Sequence, residues 1–201
     1  MWRAVRVRLT APAELMAAGR KVGLRHLNLC VWVKSNGGMG SLWRSQHELV
    51  LVLKHGSAPH TNAVELGKHG RYRTNVWMAP GANSFGVTRD KDLADHPTVK
   101  PTGLLADAIR DVTRQGEIVI DAFAGSGSTI LACERSGRIG YAVEIAERYI
   151  DVAVRRYEAM TGRQAVLEET GETFAAVTAR RARESAGAVA VDSSQSSTLT
   201  G

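Results

Sequence analysis

The stretch EIVIDAFAGSGSTILACERSGRIGYAVEI, residues 117–145, constrains the fold more than any other part of the chain. EIVIDAF (117–123) is a short apolar run of the kind a buried strand shows. AGSGS (124–128) breaks it, and TILACERSG (129–137) reads as a helix closed by Gly137. RIGYAVEI (138–145) is a second strand and AERYIDVAVRRYEAMTG (146–162) a second helix. QAVLEE (164–169) reads as a third strand. This β-α-β-α-β order predicts an α/β fold with a mostly parallel sheet and helices packed on it.

The remaining segments are less uniform. TAPAELMAAGRKV (10–22) reads as a short helix, with Glu14 early and Arg20 and Lys21 late. LNLCVWVK (27–34) and HELVLVLKHG (47–56) are β-branched apolar runs that fit buried strands, and SNGGMGSLWRSQ between them is too long for a tight hairpin. Residues 57–95 hold no sustained period and form an irregular segment. GLLADAIRDVTRQG (103–116) returns to helical spacing. From residue 185 the chain is small and polar, which predicts a disordered tail over 185–201 after a domain spanning 1–184.

Composition narrows the class. Hydrophobic residues make up 44% of the 201 residues and charged ones 23%, so wholesale disorder is excluded. No apolar run approaches the roughly 18 residues of a membrane span, and MWRAVRVRL lacks the apolar core of a secretory signal. Two cysteines, Cys30 and Cys133, offer neither a disulfide framework nor metal spacing, and the scattered histidines offer none either. A cytoplasmic protein without a metal is the expectation. The net charge of +6 is uneven: residues 1–75 carry 12 Lys and Arg against 3 acids, whereas residues 76–201 carry 14 against 17. A basic segment beside a nearly neutral one points to a polyanion surface, although an Arg-rich solvated surface explains the charge as well.

Several ligands compete for the glycine turn. A strand-to-helix turn in an α/β sheet lies in the crevice where ligands bind. Gly125 and Gly127 allow close backbone approach, and the helix beyond offers N–H groups to an anion. A dinucleotide fingerprint needs a third glycine where Ile130 stands, and a P-loop needs a lysine that does not follow Gly127. A plain tight connection is the structural alternative. Glu144, at the end of the next strand, can accept both hydroxyls of a ribose, which moves the weight toward S-adenosylmethionine. HPTVKP (96–101) adds a stiff extended segment in which Pro97 and Pro101 flank Thr98 and Lys100.

In combination, HPTVKP, DAFAGSGST and GYAVEIAERYIDVAVRR resemble the C-terminal portion of the S-adenosylmethionine-dependent DNA amino-methyltransferases. These are the N6-adenine and N4-cytosine enzymes with permuted motif order. KSNGGMGSLWRSQHELVLVLKHG and GRYRTNVW are similar to a subset of them, so the likeness covers roughly residues 20–180. It implies a Rossmann-like methyltransferase fold and site-specific methylation of double-stranded DNA, adenine N6 ahead of cytosine N4, in a restriction–modification setting. By position, Phe123 and Gly125, Ser126, Gly127 and Ser128 would cradle the cofactor, with Asp121 near its amino group and Glu144 on its ribose. Pro97, Thr98 and Lys100 would lie near its methionine end, and Tyr149 beside it. Phe123 and Tyr149 fit equally as core aromatics, and Asp121 as a cap of its own turn.

The chain departs from the family in two ways. Ala122 and Ser128 stand where the family commonly has Pro and Thr. More importantly, the family holds its flipped base with an (Asp/Asn/Ser)-Pro-Pro-(Tyr/Phe/Trp) loop, and prolines here occur only at 12, 59, 80, 97 and 101. In the permuted order that loop would precede residue 1, so an N-terminally truncated sheet is expected, with the catalytic residues unassigned. Lys34, Arg44, Arg71, Arg73, Asn75 and Trp77 would then serve the DNA surface. A different reading is a non-catalytic DNA- or cofactor-binding remnant, or a subunit that needs a partner chain to supply the loop.

Overall fold

The computed structural model describes residues 2–7, 12–40, 42–68, 72–81 and 100–196. The chain divides into two compact units, Met1–Ala153 and Val154–Gly201. The boundary between the two units falls inside a helix.

In the first unit, strand β1 (Trp2–Val7) is followed by helix α1 (Pro12–Lys21), β2 (Leu24–Val33), β3 (His47–His55) and the short β4 (Val76–Met78). These strands form one sheet in the order β1-β3-β2-β4. β3 lies between β1 and β2, and Leu51 and Leu53 on it, with Cys30 and Trp32 on β2, are buried apolar side chains of this sheet. The sheet is mixed rather than mostly parallel: β1 and β2 both run antiparallel to β3, and only β4 runs parallel to β2. The reason is the connection. Residues 34–46 join β2 to β3 without a crossover helix, and strands so joined pair antiparallel. β1 carries Arg3 and Arg6 three residues apart, so its sequence keeps no period of two. β4 was hidden by its length of three residues within the irregular segment.

Helix α2 (Thr102–Val112), β5 (Ile118–Asp121), α3 (Ser128–Ser136), β6 (Ile139–Ala142) and α4 (Glu147–Thr161) follow in the predicted order. β5 and β6 pair in parallel, Ile118 opposite Ile139 and Asp121 opposite Ala142. Arg138 ties the ends of two helices together. It donates to the Thr113 carbonyl at 2.7 Å, to Thr113 Oγ1 at 3.0 Å and to the Ser136 carbonyl, so C-terminal carbonyls that no helix bond satisfies find a cation.

The second unit holds the end of α4 and helix α5 (Phe174–Ser196). Ala165 N–H donates to Glu158 Oε1 at 2.9 Å, and the Arg155 guanidinium lies 5.5 Å from the centre of the Phe174 ring. QAVLEE is not a strand: only an isolated bridge, Val166 to Thr173, forms across a turn that places Gly171 at a φ of 70°. Residues 185–196, expected to be disordered, continue α5; Ala186, Ala188 and Ala190 are strong helix formers. Among the described residues, no helix is long and apolar enough to cross a membrane.

Both cysteines are free and buried. Burial pushes the Cys133 thiol up from 9.0 to about 11, with Asp121 adding to the rise and Arg138 opposing it. The unfolded thiol loses its proton first as pH rises, so its contribution is complete below about pH 9 and disappears between 9 and 11. A loss of about 2–3 kcal/mol over that window is expected. Unfolding midpoints measured at pH 8, 9.5 and 11 should fall less steeply in Cys133→Ala than in the parent; parallel slopes would refute the assignment.

Candidate functional site

The glycine turn is built from both parallel strands. Asp121, the last residue of β5, accepts the Phe123 N–H on Oδ1 at 2.9 Å and the Thr129 hydroxyl on Oδ2 at 2.6 Å. It caps its own turn, as one of its two readings had it, and also clamps the first turn of α3. Thr129 was not singled out from the sequence; its position eight residues after Asp121 was the available signal.

Gly125 and Gly127 take φ values of 53° and 76°. Gly127 is the residue preceding α3, and a Cβ on it would lie 2.6 Å from Ala153 Cβ. Conformation and space both demand glycine at this point. Ser126 and Ser128 are buried in the same turn.

Glu144 reaches across from the second strand. Its Oε2 accepts the Gly125 N–H at 2.7 Å, and its Oε1 accepts the Ala146 N–H at 2.9 Å. One carboxylate thus fixes the glycine turn against the segment leading into α4. A carboxylate has about four acceptor positions, so these amides and a ligand's hydroxyls can share it. Phe123 is 90% exposed and Ile145 97% exposed, one beside each strand end. Phe123 is therefore no core aromatic. Ile145 escaped the sequence reading, although an apolar residue directly after the strand-end acid was visible there. Tyr149 is half-buried, with the Arg148 guanidinium 4.8 Å from its ring centre.

Lys100 sits in a different constellation. The buried carboxylate of Glu48 lies 2.8 Å from Lys34 Nζ and 3.5 Å from Lys100 Nζ. Both ammonium groups also face the Trp32 ring, at 5.3 and 5.8 Å from its centre, and the Trp32 indole N–H donates to the Ala79 carbonyl at 2.9 Å. The cluster joins β2, β3 and the segment that opens α2. The near-complete burial of Glu48 suits a structural role. Pro97 and Thr98 lie outside the described residues, as does Arg71.

The other residues expected at a DNA surface are mostly engaged within the protein. Arg73 Nε pairs with Asp111 at 2.8 Å and its Nη1 approaches Asp107 at 3.7 Å. Asn75 donates its side-chain amide to the Leu29 carbonyl at 2.9 Å, while its own carbonyl accepts the Val31 N–H, which stitches β4 to β2. Trp77 stands opposite Trp32 in that pairing. Arg44 is exposed. Among the described residues, no group of three or more His, Cys, Asp or Glu is placed to hold a metal ion.

Comparison with known proteins agrees with this architecture. The family model of the DNA methylases (N6_N4_Mtase) matches residues 10–155. Type II methyltransferase M2.MboI of Moraxella bovis is 29% identical over 142 residues, which cover 67% of this chain and 50% of that protein. Type II methyltransferase M.ScaI of Streptomyces caespitosus is 32% identical over 90 residues, 45% of this chain and 30% of the relative. The chain thus spans half or less of the length of these curated relatives. Among solved structures, the M1.HpyAVI–SAM complex is similar with a TM-score of 0.61 at 22% identity, covering 77% of this chain and 72% of that one. PvuII DNA methyltransferase (cytosine-N4-specific) is similar with a TM-score of 0.59 at 20% identity, covering 71% and 55%. At such identities the structural likeness is one of fold, and it is the α/β methyltransferase fold expected from the motifs. With most of its length matched by the family model, the chain belongs to the DNA methylase family.

Proposed function

We propose that this chain is the cofactor-holding part of an S-adenosylmethionine-dependent methyltransferase that modifies an exocyclic amine of double-stranded DNA, adenine N6 ahead of cytosine N4, in a cytoplasmic restriction–modification setting. The observation that carries the reading is Glu144, which holds the Gly125 amide at the ends of two parallel strands. The residues present suit the cofactor: a glycine turn for close approach, an acid for ribose hydroxyls, and exposed apolar Phe123 and Ile145 for an adenine ring. When bound, the cofactor supplies an electrophilic methyl group on a sulfonium sulfur. The chain's own task is to hold the turn rigid, through Asp121 and Thr129, so that the reacting groups line up. In this reading Lys100, 3.5 Å from the Glu48 carboxylate, would supply a cation for the methionine end.

Base-holding chemistry belongs, in this reading, to a further polypeptide segment, either continuous with the chain or supplied by a partner. The small sheet supports it. α3 lies over the face that carries Gly140, where a Cβ would be 2.9 Å from Ile130 Cδ1. On the opposite face Ile118, Ile120, Ile139 and Tyr141 stand in register and about half exposed or more. Among the described residues β5 pairs only with β6, so its other edge is open to an added strand.

Calorimetry with S-adenosylmethionine and tritiated methyl transfer to duplex DNA test the proposal. The chain alone is expected to bind cofactor, and to transfer methyl groups only when the residues of M2.MboI that it does not match are added. Transfer by the isolated chain would refute the need for a further segment. Failure to bind cofactor would sink the reading itself. A non-catalytic DNA-binding subunit would bind DNA and never transfer.

A further inference from the structure

The connection between β2 and β3 carries a second exposed apolar group: Met39 is 90% exposed, Leu42 82% and Trp43 83%. The loop that presents them is tightly built. Lys34 N–H donates to the Gln46 carbonyl and Gly38 N–H to the Ser45 carbonyl, both at 2.8 Å, and Gln46 Nε2 donates back to the Lys34 carbonyl at 2.8 Å. The pairing thus runs one step past β2 and β3 at Lys34 and Gln46, and the loop is closed again at Gly38 and Ser45. A Cβ on Gly37 would lie 2.9 Å from Arg44 Cβ, and one on Gly40 only 2.2 Å from the Trp43 carbonyl oxygen. Glycine lets the two arms touch, and the tip residues point away into solvent.

Arg44, exposed, is next to Trp43, and the first 75 residues carry a net charge of +9. An apolar protein surface would accept the tip, but it gains nothing from such charge; a polyanion with stackable bases uses both features. We propose that Met39, Leu42 and Trp43 form a wedge that stacks on the bases of duplex DNA, with Arg44 on the adjoining phosphate. The wedge rests on the DNA methyltransferase reading and adds to it a contact that cofactor binding does not involve.

The test is binding of a fluorescein-labelled mixed-sequence duplex at low salt, followed by anisotropy and by tryptophan emission. Trp43→Ala is expected to weaken binding about ten-fold and leave the salt dependence unchanged, while Trp43→Phe keeps most of the affinity. Arg44→Gln should lower the slope of log affinity against log salt by about one. DNA should quench tryptophan emission in the parent and much less in Trp43→Phe. These side chains are exposed, so circular dichroism identical to the parent's is expected for each variant. Parent-like affinity in Trp43→Ala, or parent-like quenching in Trp43→Phe, would overturn the wedge while leaving DNA binding intact. No DNA binding by the parent chain would overturn the wedge and the DNA reading together. A dimer seen by sedimentation in the parent and lost in Trp43→Ala would assign the tip to a second copy and overturn the proposal.

Discussion

A Gly127→Ala chain is expected to unfold well below the parent and to lose most of its affinity for S-adenosylmethionine. Two independent costs meet at this residue. Its φ of 76° and ψ of 18° are left-handed, which costs an alanine about 1–2 kcal/mol. The new methyl would also sit 2.6 Å from Ala153 Cβ, and forcing such overlap in packed structure costs about 1–3 kcal/mol. Together they predict a loss of roughly 2–5 kcal/mol, a midpoint lower by about 5–15 °C in a thermal scan. The costs separate in a double-mutant cycle. Ala153→Gly in the Gly127→Ala background removes the closest overlap, leaving the Ala153 Cα at 3.1 Å and the backbone strain. Measured against Ala153→Gly alone, to allow for the helix cost of glycine, it should restore part of the stability. If the midpoint of Gly127→Ala equals the parent's, the turn relaxes freely and neither cost is real. Cofactor affinity should fall in parallel, because relief of the overlap moves the turn whose Gly125 amide Glu144 holds.

The parallel pair β5–β6 and its helices were legible because each signal is local. An apolar run, a glycine turn and a helical period follow one another within 29 residues, and Asp121, Gly127 and Glu144 take their places from that order alone. The N-terminal sheet was legible only in its two long strands. Its antiparallel pairing and the strand β1 depend on which segments meet in space, and Arg3 and Arg6, three residues apart, break the period of two in β1. The cations expected at a DNA surface were read from charge and position, and neither reveals partners. Lys34 and Arg73 look like free cations in the sequence, yet Glu48 and Asp111 are 2.8 Å away in the fold. Glu48 comes from a neighbouring strand and Asp111 from α2, so neither pair has a sequence signature. After residue 185 the small and polar residues resemble a linker in composition, yet Ala186, Ala188 and Ala190 favour helix and α5 continues to Ser196.

Glu144→Ala should have the largest effect on cofactor affinity of any single side-chain change, a loss of about a hundred-fold in calorimetric titration. The carboxylate makes charge-assisted bonds to the Gly125 and Ala146 amides, and such bonds contribute about 1.5–3 kcal/mol each. Removing it leaves two amide donors without that acceptor and frees the turn from the second strand. Stability should fall as well, so lower affinity alone does not separate a residue that touches the ligand from one that only holds the turn. Glutamine helps, since its single carbonyl oxygen can serve one amide but not both; about a ten-fold loss is expected for Glu144→Gln. The separating measurement uses 5′-methylthioadenosine and its 2′-deoxy analogue. If Glu144 accepts a ribose hydroxyl, the parent chain prefers the hydroxylated ligand and Glu144→Ala binds both alike. If it only braces the turn, the variant weakens both ligands and keeps the same ratio between them. Equal ratios would remove Glu144 from the ribose and leave it as the clasp between two strands.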